Sequence, residues 1–303
     1  MDAMAVARRH YAEEIKFRGQ ISSLGVLRAF AAVPRELFLH EGPWRFRSDV
    51  APEYWSTADA DPVHVYHDVL IAIDERRKLD NGLPSLWARL FDLLDLKAKE
   101  RVVQIGCGLG YYSAILSDLV GPGGKVVAID CEEAFVRRAR RNLRAWENVE
   151  VVHGDGCEDV GGPADVIIVH AGFTHPHPLW LKSLRPKGRL LVPLTTKDRQ
   201  GTLVKITQQD DGYCAEAVGG IEIFPCHGRT HTDIDERLTS WWETMSALAP
   251  FRFRSLDGGL PSDGTPLANK APKRTRGNTR AAARSRKPVA GNAASKIAPA
   301  KPS

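Results

Sequence analysis

The stretch Val102-Val103-Gln104-Ile105-Gly106-Cys107-Gly108-Leu109-Gly110-Tyr111-Tyr112-Ser113 decides how this chain is read. A run of strand formers leads into three glycines at alternate positions, and a helical pattern starts immediately afterwards. Glycine permits backbone conformations and close approaches that a Cβ forbids, and a helix N-terminus offers unpaired N–H groups. A strand, a glycine turn and a helix in that order predict a nucleotide-type cofactor site at Gly106, Gly108 and Gly110, with a structural tight turn as the alternative.

The third glycine comes one place earlier than in the dinucleotide fingerprint G-x-G-x-x-G, and that spacing favours S-adenosyl-L-methionine over a nicotinamide dinucleotide. Asp130 closes the next strand candidate, KVVAID, where a carboxylate can accept hydrogen bonds from both ribose hydroxyls. Its other reading is an N-cap for the Arg-rich helix that follows. Gly154-Asp155-Gly156 ends the third strand candidate, so Asp155 can reach an adenine amino group while Gly156 leaves room for the ring; a simple Gly-Asp turn is the alternative there.

Strands and helices continue to alternate outward from this centre, through VEVVHG, ADVIIVH and GRLLVPL, which implies a parallel sheet with helices on both faces. TLVKITQQ and AEAVGGIEIF, separated by Asp210, Asp211 and Gly212, read as a closing antiparallel hairpin. The expected fold is α/β, a Rossmann-like, mostly parallel seven-stranded sheet. Ahead of it, residues 1–80 read as a helical and loop cap: two helices broken near Gly25, then a long ordered loop over 43–65 that can form a substrate wall. Residues 81–250 form the cofactor domain, closed by the helix RLTSWWETMSALA.

Residues 251–303 are expected to be a disordered basic tail, because no aromatic residue follows Phe253 and the segment cannot bury enough apolar surface to offset its ordering entropy. That segment holds twelve of the 42 Lys and Arg and two of the 37 Asp and Glu, so a mildly acidic body precedes a tail of +10. Weak contact with nucleic acid or anionic surfaces through residues 270–301 is the partner this charge permits.

The 43% hydrophobic and 26% charged fractions are those of a globular protein. No apolar run approaches the roughly 18 residues of a membrane span. The first residues carry charges where a secretion signal would be apolar, so a cytoplasmic location is expected. Cys107, Cys131, Cys157, Cys214 and Cys226 show no C-x-x-C pairing and fit neither a disulfide framework nor a zinc site.

Several segments together resemble the protein-L-isoaspartate O-methyltransferase family over most of residues 7–230. They are AFAAVPRELFL, Tyr66-His67-Asp68-Val69-Leu70-Ile71-Ala72-Ile73, the glycine motif with Tyr111 and Ser113, the Gly154-Asp155-Gly156 turn, and Ile223-Phe224-Pro225. The resemblance implies S-adenosyl-L-methionine as cofactor, a protein or peptide as substrate, a carboxylate as methyl acceptor and protein repair as the role. It also implies an active-site loop of the form Ser-x-Pro followed by apolar residues and Ala. Here that loop is Gly82-Leu83-Pro84-Ser85-Leu86-Trp87-Ala88, with glycine at the serine position. The catalytic loop residues are therefore Asn81, Gly82 and Ser85, with Asn81 or Ser85 as replacement donor. Gln104 stands where the family usually has an acidic residue.

A carboxylate with a pKa of about 3.9 is ionised at neutral pH and needs no general base. A phenol or alcohol would want one, and His64, His67, His170 and His175 are the candidates, each with a structural role as the alternative. No metal is expected, since His170, His175 and His177 lack a carboxylate or cysteine at ligand spacing. Two other readings remain open on sequence: a non-catalytic protein that docks through its basic tail, and a nicotinamide dehydrogenase.

Overall fold

In the strand Arg101–Ile105, Val102 and Val103 point to opposite faces of a sheet, and both are fully buried. Val102 joins one apolar cluster and Val103 the other; Val126 and Val127, and Val166 and Ile167, divide in the same way. Side chains alternate along a strand, so continuous runs of β-branched residues are what a sheet covered on both faces requires.

The computed structural model describes residues 2–48, 50–196, 199–226, 236–262, 265 and 266. The chain opens with α1 (Ala3–Gly19) and α2 (Leu24–Ala32), whose N-caps Asp2 and Ser23 accept hydrogen bonds from Met4 N and Val26 N. The break between the helices falls at residues 20–23, and Gly25 lies within α2. Four short strands follow, β1 (Arg45–Arg47), β2 (Trp55–Ser56), β3 (Leu70–Asp74) and β4 (Leu79–Asp80), paired antiparallel in the order β2-β1-β3-β4. Part of the stretch 43–65, expected as a loop, is thus sheet. Strands of two or three residues are too short to show the alternation that marks a strand in sequence.

After α3 (Pro84–Leu94) come β5 (Arg101–Ile105), α4 (Tyr111–Val120), β6 (Lys125–Asp130), α5 (Glu133–Asn142), β7 (Val149–His153), β8 (Ala164–Val169), α6 (Pro178–Lys182) and β9 (Leu184–Thr195). β10 (Gln200–Gln209) and β11 (Gly212–Glu222) form the expected antiparallel hairpin. The seven strands lie in the order β11-β10-β9-β8-β5-β6-β7, with β9 to β7 mutually parallel. This is the Rossmann-like methyltransferase arrangement. Aromatic and aliphatic side chains of α1 to α4 cover one face, and Trp180 of α6 covers the other together with Trp242 of α7 (Glu236–Leu248).

Among the described residues the sheet goes beyond seven strands, and the boundary expected at residue 250 needs correction. β12 (Phe251–Phe253) pairs with β11, and its two phenylalanines are buried against Trp242. β13 (Ser255–Asp257) and β14 (Leu260–Ser262) form a small hairpin, and β15 (Thr265–Pro266) pairs with β12. Two aromatics at alternate positions are enough to hold a short strand once a tryptophan wall awaits them. The basic residues 270–301 lie outside the described residues.

A buried arginine ties residues 1–80 together and meets α4. The Arg35 guanidinium donates to the carbonyls of Val65, His67 and Val69 at 2.8–2.9 Å, and it lies over the rings of Tyr11 and Tyr111. Three backbone acceptors on consecutive odd residues set the path of the chain into β3. Asp68 continues the scaffold: its Oδ1 accepts from Ser85 N at 2.7 Å, which places the start of α3.

Candidate active site

The glycine turn is stitched to the neighbouring strand. Gly106 N and Cys107 N both donate to Ile129 O, at 2.8 and 3.1 Å, and Gly108 N donates to Asp130 Oδ2 at 2.8 Å. Gly106, Gly108 and Gly110 all have positive φ, at 79°, 56° and 93°, where L side chains are strained. A Cβ at Gly108 would meet only Ile73 Cδ1, at 3.7 Å, so its open side faces a hollow. Gly110 differs: a Cβ there would come within 2.6 Å of Leu143 Cδ1. Gly110 serves helix packing and does not line the hollow, in contrast to the cofactor contact expected of it.

The hollow is a cavity of about 320 Å³ at the carboxyl ends of β5, β6, β7 and β8. It is bounded by Gly106 and Gly108 on one side, Asp130 and Asp155 on another, and Asn81 and Gly82 on a third. Its position is where open α/β sheets bind ligands, and its size falls in the usual range for small-molecule sites, about 300–1,000 Å³. The glycine turn and the 81–82 loop therefore share one space.

Asp130 is buried, and burial raises its carboxyl pKa above the ordinary value, against the hydrogen bonds from Glu132 N and Gly108 N. The N-cap of α5 is Glu132, so Asp130 does not cap that helix. Asp155 combines its two readings: it lines the cavity, and its Oδ1 accepts from Cys157 N at 2.8 Å to shape the turn. Gly156 lines the cavity and is also held to glycine by packing, because a Cβ there would lie 2.8 Å from Ile105 Cγ2. Gln104 is turned into the fold, where its Oε1 accepts from Ser113 Oγ at 2.6 Å.

In the acceptor loop, Asn81 N donates to Ile71 O at 2.8 Å, and the buried Asn81 side chain lines the cavity. Gly82 has φ 73°, and a Cβ on it would lie 2.7 Å from Trp87 Nε1. The family's serine position is thus filled by the indole of Trp87. Ser85 is buried in the first turn of α3 and is not among the residues lining the cavity, whereas Asn81 is.

Trp87 and His170 were not picked out together from the sequence. Their rings stack with centroids 3.7 Å apart and planes inclined by 11°. His170 directly follows β8, and its N–H donates to Ile105 O at 2.8 Å. Burial pushes its pKa down to about 3, so the imidazole is neutral and is not a general base of useful strength. Its place after a buried strand, at the same edge as Asp130 and Gly106, was the signal available in the sequence. Arg47 and Asp80 line the cavity as well, with Arg47 Nε donating to Asp80 Oδ2 at 2.8 Å and Tyr54 Oη to Asp80 Oδ1 at 2.5 Å.

The other histidines serve separate ends. His175 Nδ1 pairs with Thr174 Oγ1, His177 accepts from Leu179 N to cap α6, and His64 pairs with Asp59. Among the described residues no group of three or more His, Cys, Asp or Glu side chains is placed to hold a metal ion, and no helix is long and apolar enough to cross a membrane.

Known proteins resemble this chain in sequence and in fold. The family model for protein-L-isoaspartate(D-aspartate) O-methyltransferase matches residues 7–225. The protein-L-isoaspartate O-methyltransferase of Methanothermobacter thermautotrophicus is 30% identical over 230 residues, covering 73% of this chain and 95% of that protein. Its counterpart in Aeropyrum pernix is 34% identical, covering 71% of this chain and 76% of that one. A solved protein-L-isoaspartate O-methyltransferase superposes with a TM-score of 0.62 at 26% identity, covering 81% of this chain and 72% of that chain. The fold likeness extends to a Plasmodium falciparum PCMT structure in complex with S-adenosyl-L-homocysteine, with a TM-score of 0.58 at 18% identity, covering 72% of this chain and 97% of that one. These matches support the methyltransferase reading over the non-catalytic alternative, and the dehydrogenase reading falls with them. The chain is a methyltransferase and belongs to the protein-L-isoaspartate(D-aspartate) O-methyltransferase family.

Proposed function

We propose that this protein methylates a carboxylate on a protein or peptide, with an isoaspartyl residue as the acceptor, as in the relatives whose names state that activity. The observation that carries the reading is the shared cavity, in which the glycine turn and the 81–82 loop face one another. S-Adenosyl-L-methionine is the cofactor of the family, and when bound it supplies an electrophilic methyl group on a positively charged sulfur. The residues fit it. The open space beside Gly108 and Gly154 admits a ligand where a Cβ would intrude, and Asp130 brings a carboxylate suited to ribose hydroxyls.

The chain's own part is orientation and exclusion of water. Asp130 holds the glycine turn and would meet the ribose end of the bound cofactor, while Trp87, Ile105 and Phe173 wall the cavity with apolar surface. An acceptor carboxylate arrives ionised, so positioning a lone pair toward the methyl carbon suffices, and such positioning is worth up to about 7–11 kcal/mol of a barrier. We assign residues 1–80 to a helical and loop cap and residues from 81 onward to the methyltransferase domain, whose 81–82 loop stands on the acceptor side, with the cytoplasm as location; the segment 270–301 receives no role. A radiolabelled methyl-transfer assay that offers an isoaspartyl peptide beside its aspartyl twin tests the proposal. Label on the isoaspartyl peptide alone is expected, and equal labelling of both, or of neither, overturns it.

A further inference from the structure

Three polar side chains of the cavity wall are left without a partner by the fold. His170 Nε2, Asn81 Nδ2 and Tyr112 Oη are all buried with no hydrogen bond, and all three residues line the cavity that holds the 81–82 loop. Natural folds pair nearly all their buried polar atoms, so three exceptions beside one cavity point to a ligand that engages the groups carrying them, and the imidazole and the amide are the two among these that flank Gly82 and Trp87. The residue after Asn81 adds nothing polar, because Gly82 has no side chain and the room for one is taken by Trp87 Nε1 at 2.7 Å and Tyr112 Cε2 at 3.1 Å.

The packing holds His170 in a defined plane. Its imidazole lies flat on Trp87 at 3.7 Å, with Tyr112 tilted against it at 5.5 Å, and its backbone is fixed to Ile105 at the end of β5. Burial keeps the ring neutral. A neutral imidazole has one N–H, placed on whichever nitrogen meets an acceptor, and the amide of Asn81 exchanges Nδ2 and Oδ1 by a half-turn about a broad, two-fold torsion. Each group can therefore present one N–H to the cavity. A ligand that only accepts satisfies both at once, and an ionised carboxylate is such a ligand.

We propose that the His170 imidazole and the Asn81 amide each donate a hydrogen bond to the methyl-accepting carboxylate, and that Trp87 is the positioning residue that locks the imidazole in place. The pair replaces the hydroxyl that position 82 lacks. His170 neither takes nor gives a proton in this role; it selects for a charged acceptor and sets its orientation. The inference rests on the carboxyl-methylation reading above.

The test uses the full-length protein and two variants. His170→Phe keeps an aromatic ring on Trp87 and removes both nitrogens, and Asn81→Asp keeps the shape while placing a negative charge beside the acceptor. Affinity for S-adenosyl-L-homocysteine is measured by calorimetry, and KM and kcat for an isoaspartyl peptide by labelled methyl transfer. Each variant is expected to bind S-adenosyl-L-homocysteine within twofold of the parent while KM for the peptide rises at least tenfold. Parental KM in either folded variant overturns the donor pair and leaves the methylation reading intact. Should His170→Phe not fold, Asn81→Asp decides alone. A parent protein that binds S-adenosyl-L-homocysteine yet neither binds nor methylates the peptide overturns the carboxyl reading itself, and the donor pair with it.

Discussion

Asp130 Oδ2 accepts a hydrogen bond from the backbone N–H of Gly108 at 2.8 Å, so the last residue of β6 holds the middle of the glycine turn after β5. Its second oxygen accepts from Glu132 N at 3.0 Å. One side chain thereby fixes the cofactor turn and the entry to α5, and the predictions below begin from that double role.

Asp130→Ala removes the ligand-facing carboxylate and orphans two backbone donors. Affinity for S-adenosyl-L-homocysteine should fall by about 1.5–3 kcal/mol, the scale of hydrogen bonds to charged groups, and thermal stability should fall as well. Calorimetry and a melting curve read the two effects separately; unchanged affinity would show that the carboxylate serves the turn alone.

Gly108→Ala and Gly110→Ala are expected to part company. At Gly108 the new methyl enters the cavity, so cofactor affinity drops while the fold suffers mainly the cost of φ 56°. At Gly110 it strikes Leu143 at 2.6 Å with φ 93°, so stability falls by roughly 1–3 kcal/mol while affinity in the folded fraction changes less. Denaturant titration beside calorimetry on the same samples checks the contrast.

Gly82→Ser, which restores the family's residue, should not restore a family-like site. The new Cβ lies 2.7 Å from Trp87 Nε1 on a backbone with φ 73°, so a loss of roughly 1–3 kcal/mol in stability and no gain in methyl transfer are expected. A variant with parental melting temperature and higher activity would contradict the reading of Trp87 as the occupant of that space.

His170 gives the stability a pH signature. Burial lowers its pKa from 6.5 to about 3, so between those values the unfolded chain binds a proton that the folded one refuses. Stability from this group is complete well above pH 6.5 and is lost as the pH falls toward 3, by about 2 kcal/mol between pH 6.5 and 4.5. His170→Phe should remove that part of the acid limb, which urea titrations at pH 7 and pH 4.5 on both proteins will show.

The cofactor half of the site was legible because it is built from neighbours in sequence. A buried strand, a glycine turn and an aspartate at the end of the next strand follow from local pattern, and Gly106, Gly108, Asp130 and Asp155 all stand around the cavity. The acceptor half was legible only as a departure at Gly82. What occupies that place comes from Trp87, five residues on, and its partner His170 lies 88 positions away from Gly82. No periodicity joins residues so far apart.

The sequence by itself determined the α/β class, the order of the strands up to the closing hairpin and the glycine turn between β5 and α4, because these rest on backbone preference and on which residues tolerate burial. Tertiary structure decided that Gly110 packs against Leu143 instead of a ligand, that Ser85 lies outside the cavity and that Phe251 and Phe253 complete the sheet. It also set Trp87 flat on His170. These outcomes depend on which surfaces meet once the elements pack, and a side chain's role follows from the neighbour that reaches it across the fold.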